Sequence, residues 1–411
     1  MLVPSIDLMN GKAVQLRQGK ELVLESERDP IDLAREFNKY GEVAVIDLDA
    51  AMGKGHNRDL VREICKVADA RVGGGIRDVE TGRELLNAGA SSLIFGTMAK
   101  PEILSQFPPE KIMVALDHRK GEVVDHGWQQ STGQSIWDRA ANLSQYCGSF
   151  LITFVETEGC LTGLPLEGLD SLKEKLKKPI TVAGGIATVE EIVDISKMGL
   201  DVQVGMALYT GRIDPVEAVV GSINFDSNNL VPTVVRDPQG QVLMMAYSSP
   251  ESLRLALKNG KGVFYSRSRK ELWEKGATSG NTQKLLSCRV DCDRDCLMFT
   301  VHQENAACHN GTYSCFGQAT SAREFSLPVL FDILQDRKTN LPEKSYSATL
   351  FKDRRKLMKK IMEEAHEVVT FTDKANLRWE IADLIYFLSV LAVDEEIQWT
   401  EIEAELSGRS R

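Results

Sequence analysis

From residue 1 to about 222, short apolar runs alternate with longer stretches of helical periodicity. The runs are MLVPSID, VAVIDLD, ARVGGGI, SSLIFG, IMVALD, SFLITFV, ITVAGGI and DVQVGM. Eight strand-length runs separated by helix-length segments predict a (β/α)8 TIM barrel, in which chemistry sits at the C-terminal ends of the strands. The pattern also repeats within itself. Asp7 after PSI and Asp117 after VAL are 110 positions apart, VGGGI at 72–76 recurs as VAGGI at 182–186 at the same offset, and Gly96 pairs with Gly205 at an offset of 109. The barrel is therefore predicted to be a duplicated half-barrel with matching groups on opposite sides.

Beyond the barrel the period changes twice. Residues 224–325 carry strand-like runs, among them VDCDRDCLMFTV, and predict a small α+β domain. From 326 the pattern is helical: LPVLFDILQDR reads as a helix, TNLPEKSYS as a linker, and two strong helices follow at about 350–371 and 376–393. The expected domains are thus 1–223, 224–325 and 326–411.

Composition narrows the function classes. With 49 basic and 59 acidic residues the chain carries a formal charge of −10, which argues against a general nucleic-acid or anionic-membrane surface. An anionic substrate must then be held by local groups. The 411 residues suit several domains, and no apolar run approaches the roughly 20 residues that span a bilayer. The N-terminal sequence opens directly into a strand without a signal-peptide layout, so a cytoplasmic location is expected, where the 8 cysteines read as thiols and ligands.

Within the barrel, glycines at strand-to-helix turns let backbone N–H groups approach a phosphate, so Gly74 and Gly75 with Gly96, and Gly184 and Gly185 with Gly205, predict two phosphate cradles. The alternative is tight packing at each glycine. Asp7 and Asp117 would lie between the cradles, one accepting and the other donating a proton, unless they merely cap helices. Two cradles across one mouth suit a substrate with a phosphate at each end.

Five of the eight cysteines fall between residues 288 and 316. If VDCDRDCLMFTV is a strand, Asp291, Asp293 and Asp295 share one face and Cys292 takes the other. Three carboxylates suit Mg2+, while thiolates at Cys292, Cys308 and Cys315 suit Zn2+ with a fourth position open. In the C-terminal helices, Glu363 and Glu367 share a face at i, i+4, with Glu364 between them, and Glu380 and Asp383 share a face at i, i+3 beside an apolar stripe. Carboxylates facing each other from two packed helices form a divalent-cation site; otherwise they make a solvated acidic face.

Three resemblances follow from these motifs. The stretch from about 224 to 325 resembles phosphoribosyl-AMP cyclohydrolase, through LVPTVV, VLMMAY, YSRSR, LWEKGATSGNTQ, DCDRD, ACH and SCF. This implies Mg2+ on Asp291, Asp293 and Asp295, Zn2+ on Cys292, Cys308 and Cys315, and a homodimer that shares the zinc. Zinc lowers the pKa of its water, as hydrolysis of an adenine ring near neutral pH requires. His309 is then the candidate for proton transfer, or a histidine that packs near the metal. Arg267, Arg269 and Lys275 would meet phosphates, and Trp273 would stack on substrate or belong to the core.

The barrel resembles the aminoimidazole carboxamide ribotide isomerase, through PSIDLMNGKAVQL, VIDLDAAMGKGHN, VGGGIRD, LDHRKGEVVDHGW, TEGCLTG and AGGI. That resemblance implies an Amadori rearrangement with Asp7 as base and Asp117 as acid. The chain departs from the pattern at Phe154, Glu158 and Met206, where an acidic residue, an aspartate and an arginine are usual. The C-terminal segment resembles phosphoribosyl-ATP pyrophosphatase, an all-helical MazG-like hydrolase, through KKIMEEAHEVV and WEIADLIYFLSVL. Glu363, Glu364, Glu367, Glu380 and Asp383 would then hold Mg2+, with Met362 and Phe387 replacing a glycine and a histidine. The three resemblances imply consecutive steps of histidine biosynthesis on phosphorylated, nucleotide-derived small molecules. The alternative is a bifunctional cyclohydrolase and pyrophosphatase carrying the barrel as a scaffold.

Overall fold

The computed structural model describes residues 1–125, 127–128, 130–164, 169–316, 325–342 and 345–409. Its chain separates into two compact units, Met1–Ser321 and Ala322–Ser407.

All eight expected barrel strands are present: Leu2–Met9, Val43–Asp47, Ala70–Gly73, Ser92–Phe95, Ile112–Arg119, Ser149–Phe154, Ile180–Ala183 and Asp201–Val204. They pair in parallel in that order, and the ring closes through Leu2 opposite Val202. Their β-branched and apolar residues suit strands covered on both faces. Ile94, Met113, Leu151 and Ala183 fill the interior with Ile46 and Ala115, and a larger cluster packs between the strands and the surrounding helices. Two hairpins rise from the C-terminal ends of strands. One is built from Lys12–Arg17 and Glu21–Glu25, the other from Glu122–Asp125 and Gln130–Ser135.

The following segment forms a four-stranded sheet in the order Val242–Ser248, Val231–Arg236, Leu297–Gln303, Gln283–Val290. Helix Pro250–Asn259 packs on it, started by a Ser249 capping box and stopped by Gly260 in the left-handed region. The acidic run is not a strand. Strand Gln283–Val290 ends before Asp291, strand Leu297–Gln303 begins after Cys296, and the three aspartates occupy the turn between them. Two features overrode the alternating pattern. Asp291 Oδ1 accepts the N–H groups of Asp295 and Cys296, each at 3.0 Å, and Arg294 adopts φ 64.

The C-terminal unit is helical, as expected, and buries Phe331, Leu334, Leu350, Leu357, Phe387, Val390, Ala392 and Val393. Helix Leu327–Asn340 matches LPVLFDILQDR. The expected helix from 350 is two helices, Tyr346–Lys352 and Arg354–Val369, because Asp353 leaves helical geometry and caps the second through Lys356 N. Ser345 starts the first, so the expected linker ends at that residue; Glu343 and Lys344 of that linker lie outside the described residues. Helix Lys374–Asp394 follows, and Trp399–Arg409 closes the unit. No helix among the described residues is long and apolar enough to cross a membrane.

Candidate functional sites

At the barrel mouth, Asp7 and Asp117 project from the first and fifth strands. Asp7 Oδ1 accepts the Ser5 hydroxyl at 3.1 Å, and burial raises its pKa to about 6. Asp117 is also raised by burial, against hydrogen bonds from Thr153 and Trp128, whose indole Nε1 donates to Asp117 Oδ2 at 2.8 Å. Glu158 is the third carboxylate of this pocket. Its pKa rises to about 8 through burial first and then through the charges of Asp7 and Asp117. One mouth thus holds three carboxyl groups that burial raises, Glu158 above Asp7, the kind of setting that paired acid and base chemistry uses.

The glycines divide into two sets. A Cβ on Gly74 would lie 2.2 Å from Asp47 O, and one on Gly184 would lie 2.5 Å from Phe154 O. Gly75 and Gly185 meet Ala50 and Thr157 as closely, and all four have positive φ. Packing and backbone conformation therefore each require glycine at these four positions in both half-barrels. At Gly96, by contrast, a Cβ would meet nothing within 4 Å, which leaves its backbone open to a ligand. Gly205 lies under Gln15, whose Nε2 is buried without a hydrogen-bond partner.

The departures have local causes. Phe154 stands where Asp47 stands in the first half, and its ring packs edge-on against His118 at 4.4 Å. Burial lowers the His118 pKa, so this ring is neutral packing material. Met206 is buried at the start of a short helix.

In the small domain one carboxylate oxygen from each of Asp291, Asp293 and Asp295 lies within 4.8 Å of the others. Asp295 is raised, first by the Asp293 charge. Three exposed carboxylates held this close repel one another, and this donor set fits a hard cation such as Mg2+. Cys308 and Cys315 are neighbours. The Asn310 backbone N–H, followed by the Thr312 hydroxyl, lowers the Cys308 thiol, whereas burial and then Cys308 raise Cys315. Cys292 lies on the acidic turn, exposed, and among the described residues it forms no three-ligand group with those two thiols. The His309 ring stands beside Cys308, with Nδ1 3.9 Å from Sγ.

Of the residues expected to bind substrate, Lys275 is buried near both thiols and its Nζ faces Asn281 O at 3.5 Å. Arg267 lies over the Tyr247 ring at 3.7 Å, and Arg269 is paired with Glu271 at 3.3 Å. Trp273 packs on the core beside Phe264 at a centroid distance of 5.7 Å.

In the helical unit, oxygens of Glu364, Glu367 and Glu380 lie within 4.8 Å of one another. Glu364 and Glu380 are buried, and Asn376 Nδ2 orients Glu380 Oε1 at 2.6 Å. Glu367 is raised by desolvation and then by Glu380 and Glu364, as expected of a carboxylate group built for a cation. Glu363 stands outside this group, paired with Lys360 at 3.1 Å, and so does half-buried Asp383. Phe387 is part of the unit's core, and Met362 is exposed.

Sequence reasoning missed the Trp128–Asp117 bond, the Thr153 contact and the role of Glu158 as a charged neighbour of both aspartates. Glu158 stood out only as a departure from a pattern, and no spacing links a loop tryptophan to a strand aspartate.

Residues 1–214 match the histidine biosynthesis protein family, residues 244–317 match phosphoribosyl-AMP cyclohydrolase, and residues 327–410 match phosphoribosyl-ATP pyrophosphohydrolase. A histidine biosynthesis bifunctional protein HisIE of Halalkalibacterium halodurans is 40% identical over 205 residues, 47% of this chain and 97% of that protein. An imidazole carboxamide isomerase of Methanosphaera stadtmanae is 36% identical over 235 residues, 53% of this chain and 98% of that protein. The histidine biosynthesis trifunctional protein of Saccharomyces cerevisiae is 39% identical over 220 residues, which span 26% of its length.

Proposed function

Because the chain belongs to the histidine biosynthesis protein family and carries isomerase, cyclohydrolase and pyrophosphohydrolase domains in series, we propose that it converts phosphoribosyl-ATP to the ribulosyl isomer in three steps. The boundaries we assign are 1–223 for the isomerase, 224–325 for the cyclohydrolase and 326–411 for the pyrophosphatase. The observation that carries the barrel's part is the convergence of Asp7, Asp117 and Glu158 in one mouth, where burial raises all three carboxyls.

In the Amadori step, Asp117, whose pKa burial raises, gives a proton to the sugar ring oxygen as the ring opens. Asp7, raised to about 6, removes the proton from the adjacent carbon, and the enolamine tautomerises to the ketose. Burial of both groups keeps bulk water from competing for these protons. Gly96 offers backbone to one terminal phosphate.

In the cyclohydrolase, Cys292, Cys308 and Cys315 would hold zinc, and Asp291, Asp293 and Asp295 would hold magnesium. Together these ions supply an activated water and neutralise substrate charge. The separation of Cys292 from the other two thiols supports a shared site, in which Cys292 of a second copy completes the set as a homodimer forms. His309, exposed beside Cys308, is placed to move the proton. In the pyrophosphatase, Glu364, Glu367 and Glu380 form the inner cation set, with Glu363 and Asp383 beside it. The free thiols support a reducing, cytoplasmic setting.

The test is incubation of the purified chain with phosphoribosyl-ATP, Mg2+ and Zn2+, followed by chromatography against each intermediate. The ribulosyl isomer is the expected end product, and Asp7→Asn or Asp117→Asn should halt the sequence at the formimino ribotide. Unchanged phosphoribosyl-ATP would overturn the reading. A wild-type halt at the formimino ribotide would reduce the barrel to a scaffold.

A further inference from the structure

The acidic turn Asp291–Cys296 is held from two sides. Within the small domain, Asp291 accepts the Asp295 and Cys296 amides. The remaining contacts come from the barrel and from Asn224, where the small domain begins. Asn224 N–H donates to Arg294 O at 2.8 Å, Asn224 Nδ2 donates to Asp293 O at 2.7 Å, and Arg294 Nη2 reaches Lys197 O at 3.4 Å. Just before the turn, Arg289 Nη1 donates to Asn38 O at 2.8 Å, while its Nη2 donates to Asn38 Oδ1 at 2.5 Å and to Asp69 Oδ2 at 2.6 Å. Cys288 N–H, on an edge strand of the small sheet, donates to Lys39 O at 3.1 Å.

Asn38, Lys39, Asp69 and Lys197 share one location. Asn38, Lys39 and Asp69 follow a helix, Lys197 ends one, and each precedes a barrel strand, so all lie on the face opposite Asp7 and Asp117. That lower rim covers an edge strand that would otherwise expose unpaired backbone groups. Its Lys197 carbonyl also accepts from Arg294 at the centre of the carboxylate turn, whose two central carbonyls are held by Asn224.

We propose that the lower rim of the barrel is a positioning element of the cyclohydrolase, setting the turn that carries Asp291, Asp293 and Asp295 from outside the small domain. The proposal rests on the reading of that turn as the Mg2+ site. Carboxylates on a turn with a residue at φ 64 gain their mutual placement from whatever fixes the backbone, and barrel residues contribute to that at both ends, through Arg289 to Asn38 and Asp69 just before the turn and through Arg294 to Lys197 within it. The partner recognised by the rim is therefore this chain's own edge strand and turn.

Hydrogen–deuterium exchange on the full chain tests it, read at residues 288–296 together with the Mg2+ concentration giving half-maximal cyclohydrolase turnover. Asp69→Ala, on the barrel side, and Arg289→Met, on the other, should each accelerate exchange in this segment, by about tenfold for Arg289→Met. Both should raise the Mg2+ requirement and leave isomerase turnover unchanged, the latter reporting an intact barrel. Glu217→Gln is the control. It weakens the Glu217–Arg254 pair, a second barrel contact of the small domain at 2.9 Å that does not touch the turn, and should leave exchange at 288–296 as in the wild type. Unchanged exchange in Asp69→Ala and Arg289→Met, or equal acceleration by Glu217→Gln, overturns the proposal. If Asp293→Asn keeps full turnover and Mg2+ dependence, the metal reading fails and the proposal with it. That failure is told apart because exchange then still responds to Arg289→Met.

Discussion

Glu158 is where sequence and electrostatics meet most closely. A carboxyl whose folded pKa is raised from 4.5 to about 8 binds its proton more tightly in the folded chain than in the unfolded one. Its stabilising contribution is fully present below the unfolded value and is lost as pH rises through about 8. Glu158→Gln removes that liability, so its melting temperature should exceed the wild type's at pH 8 and lose this advantage at pH 5. Glu158 is only half-buried, and solvent screening cuts the effect to about 1–2 kcal/mol. A difference in melting temperature that does not change with pH would contradict the assignment. Asp7 gives a kinetic counterpart. As the base it must be ionised, so isomerase kcat/KM should rise through about pH 6. A rising limb near pH 4 in the pH–rate profile would remove Asp7 from that role. Both aspartates were legible because the chain repeats itself at an offset of 110. The Trp128 bond to Asp117 was not, because a contact between a hairpin tip and a strand leaves no periodic trace.

At the scale of elements, the strands were legible because a parallel barrel buries both faces of each strand and so writes continuous apolar runs into the sequence. The acidic turn was misread because period two describes spacing and is blind to hydrogen bonds. Asp291 satisfies two amides locally and Arg294 reverses the chain, and neither leaves an apolar signature. The paired glycines, read as phosphate cradles, are also required by packing. Gly74→Ala would place a methyl 2.2 Å from Asp47 O at φ +95, and should destabilise the barrel by about 2–4 kcal/mol in denaturant titrations. Gly96→Ala, with open space around its Cβ, should leave stability nearly unchanged and weaken substrate binding, read as a raised KM. The helical unit behaves differently. Glu364, Glu367 and Glu380 oppose one another across two helices, so Mg2+ should raise the melting temperature of this unit and Glu380→Gln should abolish the increase. An increase that survives the substitution would place the ion elsewhere.

For the whole molecule, the topology of the first unit separates two consecutive steps. Asp7 and Asp117 open at the C-terminal ends of the barrel strands, whereas the small domain's carboxylate turn and the strand leading into it meet Lys197 and Asp69, which precede those strands. The packed barrel interior between them, filled by Ile94, Met113, Leu151 and Ala183, offers no passage for a bis-phosphorylated sugar. Within one chain, the ring-opened product of the cyclohydrolase must therefore leave into solvent before it meets Asp7. This arrangement predicts how inactivated chains complement each other. A mixture of Asp7→Asn chains, whose cyclohydrolase is intact, and Asp293→Asn chains, whose isomerase is intact, should convert phosphoribosyl-AMP to the ribulosyl isomer. Its steady rate and lag should equal those of wild-type chains at the same concentration of each working site. The lag, set by the time the formimino ribotide takes to accumulate to the isomerase KM, should shorten in both samples when isomerase-active chains are added. A wild-type chain that shows no lag while the mixture does would mean that product passes between sites without entering bulk solvent. The separation of the two faces would then have to be bridged by a second copy of the chain, bringing its barrel mouth against the first copy's small domain.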